Sequence, residues 1–160
     1  MIRLSLGLLE KQKQELEGEE PPEFLDLDAA SGMTVSSPFR YRLTAELVSG
    51  SVLVRGQFSY DVSGVCGRCL EDVTRTISGD DLSLYFEHPE VEELDISPEV
   101  REEALLELPI NLLCSDDCAG LCPRCGANRN RETCSCTDDP EPAAGDRPDP
   151  WAALDGLKLT

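Results

Sequence analysis

FRYRLTAELVSGSVLVRGQFSYDV, Phe39 to Val62, decides the fold. Phe39, Tyr41, Leu43, Ala45 and Leu47 alternate with polar residues. Successive side chains of an extended strand point to opposite faces, so this period of two marks a strand with one buried face. Ser49-Gly50 reads as a turn. Val52, Val54, Gly56 and Phe58 then share one face of a second strand that continues through Tyr60 and Val62. Two such runs joined by two turn residues are a hairpin.

On the C-terminal side, CGRC (Cys66 to Cys69) comes next, and then EDVTRTISG, rich in β-branched residues and closed by Gly79. The C-x-x-C pair is therefore expected at a tip between two strands. LSLYF, Leu82 to Phe86, reads as a further strand. Short turns between neighbours make the sheet antiparallel. On the N-terminal side, Leu4, Leu6 and Leu8 alternate weakly and suit a short strand, whereas Lys11 to Pro22 is polar and reads as a frayed helix or a loop.

SPEVREEALLELP breaks the period of two. Ser97 is placed as an N-cap and Pro98 at the first helical position. Glu99 suits the positive end of the helix dipole. Val100, Ala104, Leu105 and Leu108 fall on one face, and Pro109 ends the run. The helix delivers the backbone to Cys114. The fold class is therefore α+β: an antiparallel sheet or partly closed barrel, with one main helix and a cysteine-rich, zinc-binding C-terminal lobe. Residues 1–113 form the sheet domain with helix 97–108, and 114–136 a metal-binding lobe packed on the sheet. Residues 137–160 form an acidic linker ending in a short helix through Trp151, Leu154 and Leu157. No internal repeat is visible.

Composition bounds the rest. Hydrophobic residues are 40% of the chain but aromatics only 5%, which limits the core to a modest aliphatic one. The formal charge of −18 repels phosphate backbones, so generic nucleic-acid affinity is not expected and a basic protein partner fits better. The apolar start is short and turns acidic, unlike a signal peptide, and no apolar run is long enough to span a membrane. A cytoplasmic location is expected, where clustered cysteines serve more often as metal ligands than as disulfides.

CSDDCAGLCPRCGANRNRETCSC, Cys114 to Cys136, holds six of the eight cysteines. A C-x-x-C turn presents two thiolates to one side of a metal. In CPRCG, Pro123 stiffens the turn and Gly126 permits the tight backbone after the second ligand. Eight thiols make two tetrahedral sets. Local spacing groups Cys122, Cys125, Cys134 and Cys136, with Asn128 and Asn130 in the loop between. Cys66, Cys69, Cys114 and Cys118 form the other set, stapling the C-terminal segment to the sheet. A rival arrangement joins Cys66, Cys69, Cys122 and Cys125. Full thiolate shells suit structural zinc rather than a catalytic site with an open position. The sole histidine, His88, lies in an acidic loop and reads as solvated. A thioredoxin-like use of CGRC lacks its helix and βαβ setting.

Arg68, Arg124, Arg129 and Arg131 lie among the cysteines. They are candidates for contact with RNA or a partner; alternatively they solvate the loops or bond carbonyls. Two zinc ions with eight thiolates would add four negative charges, eight minus four, which opposes a strongly positive patch. No catalytic triad, phosphate loop or dinucleotide fingerprint is present.

VCGRCLE, the helix ending in LELPI, CSDDCAGLCPRCGANRN and the closing CSC resemble the YceD family of bacterial and plastid proteins. The resemblance runs in the family's order from about Arg40 onward. It implies a part in accumulation or processing of large-subunit (23S) ribosomal RNA, hence in ribosome assembly. Some members lack the second cysteine group but keep equivalents of Cys66 and Cys69, with Cys or His near Cys114 and Cys118, which favours two separate sites. The resemblance carries over no catalytic residue. Asp149-Pro150 is followed here by Trp151, where the family often has arginine.

The expected function is a cytoplasmic, non-enzymatic assembly factor carrying two structural zinc ions. Its partner would be a large-subunit precursor, through ribosomal RNA or a basic ribosomal or assembly protein, with no membrane and no small-molecule substrate. The alternative is a redox- or zinc-responsive regulator whose cysteines release metal on oxidation, or, less directly, a thiol oxidoreductase.

Overall fold

A computed structural model describes residues 1–136. Seven strands and two helices follow in the order β1 (Arg3–Ser5), α1 (Leu6–Leu9), β2 (Gln14–Glu20), β3 (Met33–Val35), β4 (Phe39–Val48), β5 (Ser51–Val65), β6 (Asp72–Phe86), β7 (Glu93–Asp95) and α2 (Ser97–Leu106). Short 3-10 turns at Pro22–Leu25 and Ala29–Ser31 link β2 to β3.

β5 organises the main sheet. One of its edges is covered along its length by β6. Its other edge pairs first with β4, from Ser51 to Ser59, and then with the short β3, from Val62 to Gly64. β2 lies outside β4. Every pairing is antiparallel. The central hairpin forms where the alternation places it, with β5 continuing to Val65, and its turn takes positive φ at both Ser49 (53°) and Gly50 (85°). Two consecutive left-handed residues match the right-handed twist of the strands they join.

EDVTRTISG and LSLYF are one strand, not two. Gly56 of β5 faces Leu82, and Phe58 faces Gly79, so Asp80 and Asp81 together oppose Gln57. This bulge shifts the inward phase from Ile77 and Gly79 to Leu82 and Leu84, all buried. Gly79 is required there, since a Cβ would lie 2.6 Å from the Phe58 ring. A glycine interrupts the sequence pattern of the strand without ending it.

Three further expectations are corrected. Lys11 to Pro22 contains strand β2 rather than a frayed helix or loop. Leu16 is its one apolar inward residue, and pairing with β4 replaces hydrophobic patterning as its cause. Its outward Glu17 and Glu19 face Arg42 and Arg40, with Glu17 Oε1 2.8 Å from Arg42 Nη2. Leu4, Leu6 and Leu8 do not share a strand face: β1 ends at Ser5 and α1 begins, with Leu4 fully buried and Leu8 half exposed. The sheet is also open: among the described residues β2 pairs only with β4 and β6 only with β5, so the strands do not close into a barrel.

The inward faces of β4, β5 and β6 meet α2 and the β1–β7 pair in one core. Phe39, Leu43, Tyr60, Val62, Ile96 and Val100 are at its centre. Phe39 stacks on Phe58 with ring centroids 5.5 Å apart, so the few aromatics are concentrated in one place. Ser97 does not cap α2: its Oγ accepts the Ile2 N–H at 2.7 Å, and Asp95 Oδ1 accepts the Ser97 N–H at 3.0 Å. Val100 and Ala104 are buried and Leu105 and Leu108 pack beside them. The buried Tyr60 hydroxyl donates to the Ala104 carbonyl at 2.6 Å, fixing the end of α2 to β5. From there the chain descends to buried Leu112, whose carbonyl accepts the Gly67 N–H at 2.8 Å. That contact sets Cys114 beside the β5–β6 tip. Residues 137–160, where the acidic linker and terminal helix are expected, lie outside the described residues.

Candidate metal centres

The β5–β6 tip carries Cys66 and Cys69, and the segment after α2 carries Cys114 and Cys118. Cys66 Sγ lies 3.9 Å from Cys118 Sγ, and Cys69 Sγ lies 3.6 Å from Cys114 Sγ. All four sulfurs fall within 4.8 Å of one another. Zinc–thiolate bonds of about 2.3 Å in a tetrahedron put sulfurs roughly 3.8 Å apart. A disulfide needs about 2.05 Å, and all eight cysteines are free thiols. The sulfurs are therefore spaced for a shared ion. Cys66, Cys69 and Cys118 are buried; Cys114 is exposed.

The second group, Cys122, Cys125, Cys134 and Cys136, also gathers its sulfurs within 4.8 Å. Cys122 and Cys125 sit on a small hairpin closed by the Leu121–Asn128 bridge. The rival grouping of Cys66 and Cys69 with Cys122 and Cys125 does not form among the described residues.

The two C-x-x-C turns have the same backbone. Cys66 N–H donates to the Glu71 carbonyl at 2.8 Å, and Leu70 N–H to the Cys66 carbonyl at 3.0 Å. Cys122 N–H donates to the Ala127 carbonyl at 2.8 Å, and Gly126 N–H to the Cys122 carbonyl at 2.9 Å. The residue after the second cysteine is left-handed in both, with φ 60° at Leu70 and 75° at Gly126. This is a structural repeat where none was visible in the sequence. The glycine signal marks the second turn, whereas Leu70 in the first hides the equivalence.

The turns also fix the charge on the sulfurs. The N–H groups of Cys69, Arg68 and Cys114 converge on Cys66 and hold its thiol down to about 6. Those of Cys125 and Arg124 hold Cys122 down to about 6. Cys69 receives the Glu71 N–H, yet burial and the sulfurs of Cys66, Cys114 and Cys118 push it up to about 12. The neighbouring Cys125 sulfur and burial push Cys136 up to about 12. Each set thus contains at least one thiol biased toward its thiolate, with the remaining protons displaced when a cation arrives. Soft all-sulfur donors and N–H bonds to sulfur fit zinc in a closed shell.

The four arginines are all exposed, and each also has a partner within the chain. Arg68 donates through Nη1 to the carbonyls of Asp116 and Cys118, each at 3.1 Å. Arg131 pairs with Glu71 at 2.7 Å. Arg124 and Arg129 have interactions of their own. His88 is exposed, at φ 38°, with its N–H 3.4 Å from Ser51 Oγ. Sequence reasoning missed the residues that brace the sulfurs: Asn130, whose Nδ2 lies 3.3 Å from Cys118 Sγ, and Glu71. Their one sequence signal was polar side chains inside a ligand loop. Across the sheet, a groove of 590 Å³ is lined by Glu17, Glu19, Arg40, Arg42, Gln57 and Asp80 among others.

An open antiparallel sheet together with two four-cysteine clusters defines a cysteine-rich protein whose thiols could hold metal ions. Residues 80–158 match the model of the family described as "Large ribosomal RNA subunit accumulation protein YceD". Over these residues the chain is similar to the YceD family, the resemblance that the cysteine motifs carry. The chain is 45% identical over 53 residues to the Arabidopsis thaliana protein "Large ribosomal RNA subunit accumulation protein YCED homolog 1, chloroplastic", covering 33% of this chain and 16% of that one. It is 38% identical over 85 residues to the Zea mays protein of the same name, covering 53% of this chain and 28% of that one. An uncharacterized Mycobacterium tuberculosis protein is 33% identical over 100 residues, covering 52% of this chain and 48% of that one. The chain thus spans less than half the length of each of these relatives. No solved structure matches it.

Proposed function

We propose that this chain is a non-enzymatic, zinc-stapled factor that supports accumulation of large-subunit ribosomal RNA. One observation carries the reading: the YceD match at residues 80–158 takes in Cys114, Cys118, Cys122, Cys125, Cys134 and Cys136, six of the eight candidate ligands. The plant relatives are named for that role. The zinc ions hold a surface rather than perform chemistry, because each set offers four sulfurs and leaves no open position for water.

The factor acts by binding. At a net charge of −18 it meets RNA poorly by itself, so a basic ribosomal or assembly protein is the contact that brings it to the precursor. The internal bonds of Arg68 and Arg131 favour the same reading. It works in the cytoplasm, where the thiols stay reduced. No described helix is long and apolar enough to cross a membrane. Depletion from growing cells, followed by sucrose-gradient profiles, tests the proposal: mature large-subunit RNA should fall relative to small-subunit RNA. Unchanged profiles would remove it.

A second reading has one observation in its favour. Cys114 and Cys125, one in each set, are exposed and open to oxidants. Release of metal by mild peroxide at a rate far above that of buried zinc–thiolate sites would favour a redox-responsive regulator.

A further inference from the structure

The two clusters are physically continuous. The chain between Cys125 and Cys134, ligands of the second set, folds back over the first. Arg129 N–H donates to the Gly120 carbonyl at 2.9 Å, and Ala119 N–H to Asn130 Oδ1 at 2.8 Å. Asn130 Nδ2 then reaches Cys118 Sγ at 3.3 Å and Asn128 Oδ1 at 2.9 Å. The Asn130 amide thus has one acceptor bond and two donor bonds, so both of its N–H donors and one of its two carbonyl lone pairs are used. Asn128 Oδ1 also accepts the Asn130 N–H at 2.9 Å, and Asn128 Nδ2 donates to Glu71 Oε1 at 3.0 Å. Arg131 pairs with the same Glu71 oxygen. Glu71 belongs to the first C-x-x-C turn, where its carbonyl takes the Cys66 N–H. One polar chain therefore runs from Glu71 through Asn128 and Asn130 to Cys118, inside a loop whose two ends are ligands of the other set.

We propose that Asn130 is a positioning residue for the Cys66/Cys69/Cys114/Cys118 centre, held in place by the other centre, so that the two metal ions load with positive cooperativity. This deepens the zinc reading and rests on it. An ion joining Cys125 to Cys134 fixes the ends of the loop and removes most of its closure entropy. The ordered loop then presents the Asn130 N–H to Cys118, stabilising its thiolate. By linkage, an ion in the first centre orders the loop from the other side and favours the second to the same degree. Sulfur-bound N–H donors of this kind are conventional outer partners of zinc thiolates, and their loss costs about ten- to a hundredfold in metal affinity.

The test titrates the reduced, metal-free full chain with cobalt(II) against a competing chelator, reading the tetrahedral and thiolate-to-cobalt bands. Cys134→Ser/Cys136→Ser leaves only the first centre, and Cys66→Ser/Cys69→Ser only the second. Each isolated centre should bind about ten- to a hundredfold more weakly than in the intact chain. Asn130→Ala in the intact chain should weaken the first centre to a similar degree and shift its charge-transfer band, yet add little to Cys134→Ser/Cys136→Ser. Asn130→Asp keeps the size and the acceptor for Ala119 N–H but cannot donate to Cys118, and should give the same band shift with circular dichroism unchanged. Isolated centres that bind as tightly as the intact ones overturn the proposal. So does a loss from Asn130→Ala that adds in full to that of the cysteine changes. An intact chain that binds no cobalt removes the metal reading, and this proposal with it.

Discussion

Tyr60→Phe isolates the joint between the sheet and the segment that carries Cys114. Ala104 lies in the last turn of α2, where carbonyls run out of helical donors. The Leu108 N–H turns instead to the Leu105 carbonyl at 3.2 Å. The Tyr60 hydroxyl takes up the Ala104 carbonyl at 2.6 Å, at a site where the tyrosine is 1% exposed. Burial, and then the charge of Glu107, push the hydroxyl pKa up, so it stays a donor at any ordinary pH. Phenylalanine keeps the ring, its stacking on Phe58 and its tilted contact with Phe39. The change therefore costs only the bond and the desolvated carbonyl left behind, about 1–3 kcal/mol. Near the middle of that range, about 2 kcal/mol lowers the melting temperature of a chain this size by roughly 4–8 °C. Thermal and urea melts of the zinc-loaded protein measure it, with the urea slope unchanged if compactness is unchanged. A variant within about 0.3 kcal/mol of the parent would refute the claim that this bond anchors α2, since the usual cost of a buried unsatisfied carbonyl is several times larger.

Gly79→Ala forces a methyl against the Phe58 ring, a 2.6 Å approach, and should destabilise by about 1–3 kcal/mol in the same melts. Cys66→Ser/Cys69→Ser should lower the melting temperature more than Cys134→Ser/Cys136→Ser, because only the first pair ties the sheet to the segment after α2; equal losses would contradict this. Cys66 and Cys122 in the metal-free chain, held down to about 6 from a free-thiol value of 9.0, give the fold stability that is complete above about 9 and fades as pH falls to about 6. Cys69 and Cys136, pushed up to about 12, act oppositely and cost stability above about 9, so apo stability should peak near pH 9 in melts across pH. Arg68→Ala should loosen the Asp116–Cys118 turn and lower metal affinity with little change in RNA binding, measured by chelator competition and filter binding.

Legibility of the fold followed the strength of periodic pattern. β4 was readable to the residue because its apolar residues recur at every second position, and β5 was readable through Val62, three residues short of its end at Val65. The cysteine sets were readable in part: Cys122 to Cys136 can close on itself within fifteen residues, but spacing alone left open the rival set of Cys66, Cys69, Cys122 and Cys125, which the folded chain does not form among the described residues. β2 was hidden because its burial alternates while its chemistry does not: Gln14, Gly18 and Glu20 occupy inward positions beside Leu16. Its sequence clue was Glu15, Glu17 and Glu19 at alternate positions, opposite Thr44, Arg42 and Arg40. β6 was split at Gly79 because a bulge changes the phase, and phase is what a period of two detects. Ser97 was a reasonable cap by type, but the N-terminal Ile2 claims its hydroxyl, a contact across 95 positions that no local reading reaches. Leu70 concealed the repeated turn by adopting, without glycine, a backbone that glycine usually supplies.

The most direct test is the metal content of the reduced full chain, by native mass spectrometry with elemental analysis. Two zinc ions per chain, with all eight cysteines protected from alkylation until a chelator is added, is the predicted result. Fewer than one zinc per chain, or cysteines that alkylate freely in the folded protein, would contradict it.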